Sequence, residues 1–251
     1  MRYTVVTVIA LLASTSTSRA DRKSFTNTYE YATLPEGQTE LELWHTQSRD
    51  TWDKATAERF EEKIEIEHGI TDHLDASMYT VLTEVAGGAM GGDQPLSLDA
   101  IRFETRYRVA DRGQLPVDTV LYFEVAKDFG KSVYELEGKW IAARDFDRVT
   151  AAVNLIGVGK IGNDVRTNEF DLGWAAGLTY EITPKLRLGA ETWGLHDRLG
   201  TRWAAGPALS LAPTSKFWLA ATAGFGFEDH VESDDYSGAA FSGRLIMGIE
   251  L

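Results

Sequence analysis

Residues 216–227 read KFWLAATAGFGF, and their alternation decides the fold. Phe217, Leu219, Ala221, Ala223, Phe225 and Phe227 make one wholly apolar row. Trp218, Ala220, Thr222, Gly224 and Gly226 make the other, smaller and more polar, with an aromatic at one end. Successive side chains of a strand point to opposite faces, so this is a strand with one apolar face. At about 10–12 residues it exceeds the roughly 5–6 of a typical soluble strand and suits a tilted crossing of a bilayer. A ProThrSer turn at 213–215 precedes it and an acidic loop follows.

Outward from there the unit recurs. Residues 39–48 set Leu41 and Leu43 against Glu40 and Glu42, with Trp44 near the far end. Residues 59–70 set Phe60, Ile64, Ile66 and Ile70 against Arg59, Glu61, Lys63, Glu65 and Glu67. Residues 100–109 set Ile101, Phe103, Tyr107 and Val109 against Arg102, Glu104, Arg106 and Arg108. Less sharply patterned or similar strands are expected over 74–85, 117–126, 132–144, 147–158, 169–181, 185–193, 202–211 and 240–251. That makes twelve. The expected fold is all-β: an antiparallel up-and-down transmembrane barrel, its apolar rows on lipid and its charged rows inward. A soluble sandwich alternates too, but with turns every 8–12 residues or so, whereas these repeats are longer.

The connections alternate as well. Short ones are expected at 71–73, 111–116, 145–146, 182–184 and 211–215, and longer ones at 49–58, 86–99, 127–131, 159–168, 194–201 and 228–239. Bacterial outer-membrane barrels carry short periplasmic turns and longer outer loops. This parity places both ends in the periplasm if the first spanning strand starts near Thr39. Residues 21–38 are then a periplasmic arm or a segment folded into the lumen, and 39–251 the barrel. Aromatic residues at Trp44, Tyr107, Phe123, Trp140, Phe170, Tyr180, Trp203, Phe217 and Phe227 are candidates for interfacial girdles.

Residues 1–20 combine a basic Arg2, an apolar stretch from Tyr3 to Ala13, and Ser18 and Ala20 at a cleavage position, the pattern of a secretory signal peptide. The expected location is therefore the bacterial outer membrane, with lipid and the barrel-assembly machinery as partners. Removing Arg2 and Arg19 from 25 basic residues leaves 23 against 38 acidic ones, a mature charge of −15. That balance argues against nucleic acid. With no cysteine the chain has no disulfide and no thiolate ligand. No metal or cofactor is expected.

YEYATLPEGQTELELW at 29–44, followed by FEEKIEIEHGITDHLDASMY at 60–79, resembles an uncharacterised family of Gram-negative outer-membrane barrels. Their shared features are a Tyr-rich N-terminus, a Leu-Pro-x-Gly turn and a Glu-alternating strand ending in Trp. YEITPKLRLGAETWG and AGPALSLAPTSKFWLAATAGFGF are similar to outer-membrane transport barrels once linked by name to phenol degradation. The resemblance implies a barrel; it implies no catalytic residue and no defined substrate.

The candidate site is the inward row: Glu40, Glu42, Arg59, Glu61, Lys63, Glu65, Glu67, Arg102, Glu104, Arg106, Arg108, Glu135, Glu137, Lys139, Arg187, Glu191, Arg202 and Arg244. Its N-terminal half is charged and its C-terminal half is mostly Gly, Ala, Ser and Thr. One reading is a narrow porin-like channel for small solutes or ions, tuned by charged rings. The other is a plugged structural or adhesion barrel, in which long side chains lean onto small ones. Twelve strands fall between filled eight-stranded and open sixteen-stranded barrels. A hydrolase would need a Ser within reach of one of His45, His68, His73, His196 or His230, and Ser48 and Ser210 are the candidates. The acidic loop at 228–238 lacks calcium-loop spacing, and GGAMGG at 87–92 lacks the Lys-Ser/Thr of a phosphate loop.

Overall fold

A computed structural model describes residues 22–49, 58–87, 93–130, 133–162, 170–197, 200–229 and 240–251. The expected signal peptide 1–20, most of the glycine-rich stretch 87–92 and most of the acidic loop 228–238 lie outside them. Twelve strands follow in chain order: β1 Thr39–Arg49, β2 Glu58–Thr71, β3 Leu74–Ala86, β4 Gln94–Arg108, β5 Asp118–Asp128 and β6 Val133–Phe146. Then come β7 Val149–Gly162, β8 Phe170–Thr183, β9 Leu186–Asp197, β10 Gly200–Leu211, β11 Phe217–Asp229 and β12 Phe241–Glu250. Each pairs antiparallel with its chain neighbours, and β1 pairs with β12 from Glu40↔Glu250 to Arg49↔Phe241, closing the barrel. Closure leaves no unpaired strand edge, the condition for a sheet in hydrocarbon.

Burial follows the alternation. On β5 Val120, Tyr122, Glu124 and Ala126 are buried, while Leu121 and Phe123 stand about half exposed between them at 49% and 50%. Ile64, Ile66, Met78, Phe103, Leu155, Leu172 and Leu178 are likewise exposed on the outer wall. An apolar belt on every side would be costly in water, at about 25 cal/mol per Å². Facing lipid, it is the stabilising surface.

Three expectations are corrected. β4 begins at Gln94, inside the expected loop 86–99, because bulges at Val81/Leu82 and Thr83/Val85 absorb the extra residues. β9 and β10 pair out to Asp197 and Gly200, so the expected loop 194–201 shrinks to 198–199 and His196 lies on a strand. The connection 109–117 at the opposite rim is longer than that, so loop length alone separates the two rims less cleanly than expected. The girdle also loses members. Trp44 is 5% exposed and turned inward with Glu40 and Glu42, whose even parity it shares. Phe123 and Trp140 face outward but lie mid-strand, whereas Tyr107, Phe170, Tyr180 and Trp203 do sit near strand ends.

Glycine makes room for tryptophan in the wall. A Cβ on Gly248 would lie 2.2 Å from the Trp218 ring, and one on Gly224 or Gly194 would lie 2.2 Å from Trp193 or Trp174. Gly248 on β12 thus seats the inward Trp218 of the neighbouring β11.

Leu155, midway along β7 and 55% exposed, tests which solvent covers the belt. Leu155→Arg should lower the unfolding free energy in lipid vesicles by about 2–4 kcal/mol, the midplane penalty for a cation on the lipid face. Chemical unfolding curves measure it; a water-facing position would tolerate the change almost freely.

Candidate functional site

The interior holds more than wall side chains. Residues 22–34 run from the rim where β1 starts and β12 ends to mid-barrel and back to the same rim. Arg22 starts at that rim, donating from Nε to Ser210 Oγ (2.8 Å) and from Nη1 to the Pro184 carbonyl (2.9 Å). At mid-depth Glu191 on β9 accepts three backbone N–H groups: Thr26 at 3.0 Å, Asn27 at 2.9 Å and Thr28 at 3.0 Å. The hydroxyls of Thr26 and Thr222 also donate to it. Two strands along the wall, Asn154 of β7 holds Tyr29 both ways, accepting from its N–H at 2.6 Å and donating to its carbonyl at 2.9 Å. The segment then descends. Tyr31 donates its hydroxyl to the Ala110 carbonyl, Thr33 donates to Asp72 O at 3.0 Å, and the Leu34 N–H donates to Asp75 at 2.9 Å.

Two glycines admit this arm. A Cβ on Gly177 would stand 2.4 Å from the Phe25 ring, and one on Gly69 would stand 2.0 Å from the Pro35 carbonyl oxygen. Phe25, 1% exposed, packs in one apolar cluster with Tyr31, Val120, Tyr122, Ile141, Ala152 and Ala208. The small row of the C-terminal half therefore receives the arm. It does not receive long side chains reaching across from the opposite wall, the filling expected for the plugged reading.

The candidate inward residues divide by depth. Near the terminal rim Glu40, Glu42, Glu65, Glu67, Glu104 and Arg106 are buried. Arg106 forms ion pairs with Glu67 and with Asp75 (2.8 Å). Removing one partner of a buried pair typically costs about 3–5 kcal/mol, so Arg106 is part of the framework. Above them Arg102 pairs with Glu124 at 2.6 Å and Glu135 at 3.5 Å, Lys139 with Glu137 at 2.7 Å, and Lys63 with Glu61 at 3.5 Å. Arg244 bridges wall and arm, donating to Thr46 Oγ1 (3.0 Å) and Asn27 Oδ1 (2.8 Å). Arg187 reaches Ser24 at 2.9 Å and Glu181 at 3.1 Å. At the rims Arg59 pairs with Asp99, Arg202 with Asp197, and Arg108 with Asp111 at 3.8 Å.

Sequence reasoning missed the aromatic members of the inward row. Tyr79 and Tyr122 both donate to Glu124, and the Lys139 ammonium lies 4.1 Å and 3.9 Å from the ring centres of Tyr29 and Tyr122. Strand parity would have found Tyr79, Tyr122 and Trp44, since each shares a row with a charged neighbour; Trp218 already stands in the smaller, more polar row of 216–227. Asp75 was hidden by the weak patterning of β3.

The described histidines have other partners than serine. His45 meets Glu62 on the outer wall, His68 meets Thr39, His73 meets the Arg108 carbonyl and Asp111, and His196 meets Thr201. Ser210 is held by Arg22 and by the Lys23 carbonyl. His230 lies outside the described residues. Among the described residues no group of three or more His, Asp or Glu is arranged to hold a metal ion.

The fold is that of outer-membrane channels. An outer membrane channel from Pseudomonas putida F1 superposes with a TM-score of 0.62 at 14% identity, over 90% of this chain and 100% of its own. The NanC porin gives 0.56 at 11%, over 84% and 100%. The KdgM porin, solved in complex with disordered oligogalacturonate, gives 0.56 at 10%, over 84% and 99%. No family model matches the chain, and no curated protein does. At these identities the likeness establishes the architecture, a twelve-stranded outer-membrane barrel.

The arm's attachment has a definite electrostatic signature. Burial by itself would lower the Lys23 ammonium, but Glu42 and Glu65 outweigh it and raise it above the ordinary lysine range. A raised pKa stabilises the docked arm fully below the free lysine value near 10.4 and loses that contribution as pH climbs through the docked value. Glu191→Ala should speed amide exchange at Thr26, Asn27 and Thr28 by about tenfold or more, given roughly 1.5–3 kcal/mol per hydrogen bond to a charged group. Exchange at barrel amides such as Leu155 should not change, as read by hydrogen-exchange mass spectrometry.

Proposed function

We propose that this protein is a narrow outer-membrane channel for small solutes or ions, with residues 22–34 as the element that closes its periplasmic half. One observation carries the reading: part of the lumen is occupied by residues 22–34, held to the wall by hydrogen bonds at Ser210, Glu191 and Asn154, where a scaffold would be filled by its own wall. The fold shared with a channel and two porins supports it, and so does the inward row of paired charges. Glu61, Lys63, Arg102, Glu135, Glu137 and Lys139 would line the path above the arm, where mixed signs give weak selectivity that a single charge change can tip. Export through a cleaved signal peptide, with Asp21 as first mature residue, belongs to the same reading. So does kinship with the transport barrels named for phenol degradation. The arm's short contacts suit a plug that leaves without disturbing the barrel, because the closing strands do not depend on it.

Planar-bilayer recording tests this. The intact chain should show mostly closed traces with brief openings. Gly177→Leu, which fills the seat of Phe25, should raise the open fraction by about tenfold, the equivalent of roughly 1.4 kcal/mol of lost docking energy. Glu137→Lys should move the reversal potential in a salt gradient toward anions. Persistent silence in both variants, with the barrel folded, would reject the channel.

A further inference from the structure

Near the terminal rim, the arm's attachment includes a cation site. The Lys23 ammonium lies 4.8 Å from the Trp44 ring centre and 5.8 Å from those of Trp218 and Tyr29. Its nitrogen donates to Glu42 Oε2 at 2.6 Å, and that oxygen also accepts from the Trp44 indole N–H at 2.8 Å. The Trp218 indole N–H points to Glu40, 3.1 Å from Oε2. Glu40 and Glu42 are 2% and 0% exposed. The second Glu42 oxygen, Oε1, is buried and takes no hydrogen bond. Rings around an ammonium, backed by carboxylates, are the recognition chemistry of alkylammonium groups.

The cation on Glu42 comes from the arm: Lys63 and Arg244 of the wall also lie over the Trp44 ring, at 5.1 Å and 5.6 Å, but Lys63 pairs with Glu61 and Arg244 donates to Thr46 and Asn27. Trp44, Trp218, Glu40, Glu42 and Glu65 all belong to the wall, whereas Lys23 belongs to the segment that must leave when the channel opens. Its departure would strand buried carboxylates in an enclosed lumen, which is strongly unfavourable unless another cation takes its place. Arg106 cannot do so, because Glu67 and Asp75 already hold it. The tryptophans cannot collapse into the gap freely either, since Trp218 is seated on Gly248.

We propose that the Trp44–Trp218–Glu42 cage is a binding site for small organic cations bearing an alkylammonium group, and that Lys23 occupies it as an internal surrogate. This deepens the channel reading and rests on it for the claim that such cations are the solutes. Binding of the cation displaces the arm, so the solute opens its own path.

Isothermal titration with n-butylammonium chloride on the full-length protein in detergent is the test. Lys23→Ala should bind it on the order of tenfold or more tightly than the intact chain, whose own lysine competes. The double change Lys23→Ala with Glu42→Gln should lose that gain, and n-butanol and butyrate should bind neither protein measurably. In the intact chain, millimolar n-butylammonium should speed amide exchange at Thr26, Asn27 and Thr28, which reports on the cage even if the alanine variant folds poorly. Equal binding of butylammonium and butanol, or exchange unmoved by the amine, overturns the site. A barrel that binds the amine but never conducts keeps the site and loses the channel; one that conducts without binding it does the reverse.

Discussion

The pairing of β1 with β12 is the constraint on which the rest depends. An open twelve-stranded sheet would present two rows of bare N–H and C=O groups to hydrocarbon, each worth several kcal/mol unsatisfied. The register from Glu40↔Glu250 to Arg49↔Phe241 removes both rows together. Closure also fixes the geometry inside. A cylinder of twelve strands is wider than side chains from its own wall can readily fill, and the inward row on β8 to β11 is too small to try. The space so created is where residues 22–34 lie.

Filling that space with a segment of the same chain has electrostatic consequences. The walls near the terminal rim carry a surplus of buried carboxylates, and the arm brings Lys23 and a run of backbone N–H groups to meet them. Glu191 is satisfied by three such groups and Glu42 by an ammonium. Above the arm the charges pair within the wall itself: Arg102 with Glu124, Lys63 with Glu61. The two halves of the interior thus solve one problem, charge in a confined space, by different means.

Glycine placement shows how closely wall and arm are matched. Gly177 and Gly69 each occupy a point where any Cβ would collide with the arm, at Phe25 and at the Pro35 carbonyl. Neither lies at a turn that demands unusual backbone angles. Their small size is a docking feature, and it belongs to the barrel as much as the arm's own residues do.

The strands were legible in the sequence because period-2 alternation is a local property. Each strand of about a dozen residues announces its two faces without reference to any other, as Phe217, Leu219 and Ala221 do against Trp218, Ala220 and Thr222. Element number, closure parity and the direction of Glu40, Glu65 and Arg106 followed from that alone. Which charged residue meets which was not legible, because partners such as Arg106 and Glu67 are set by inter-strand register, and bulges like that at Val81/Leu82 shift it. The place of residues 22–34 was least legible of all. Their partners, Asn154, Glu191 and Ser210, lie 125 to 188 positions away, and only a closed barrel brings them to one point in space.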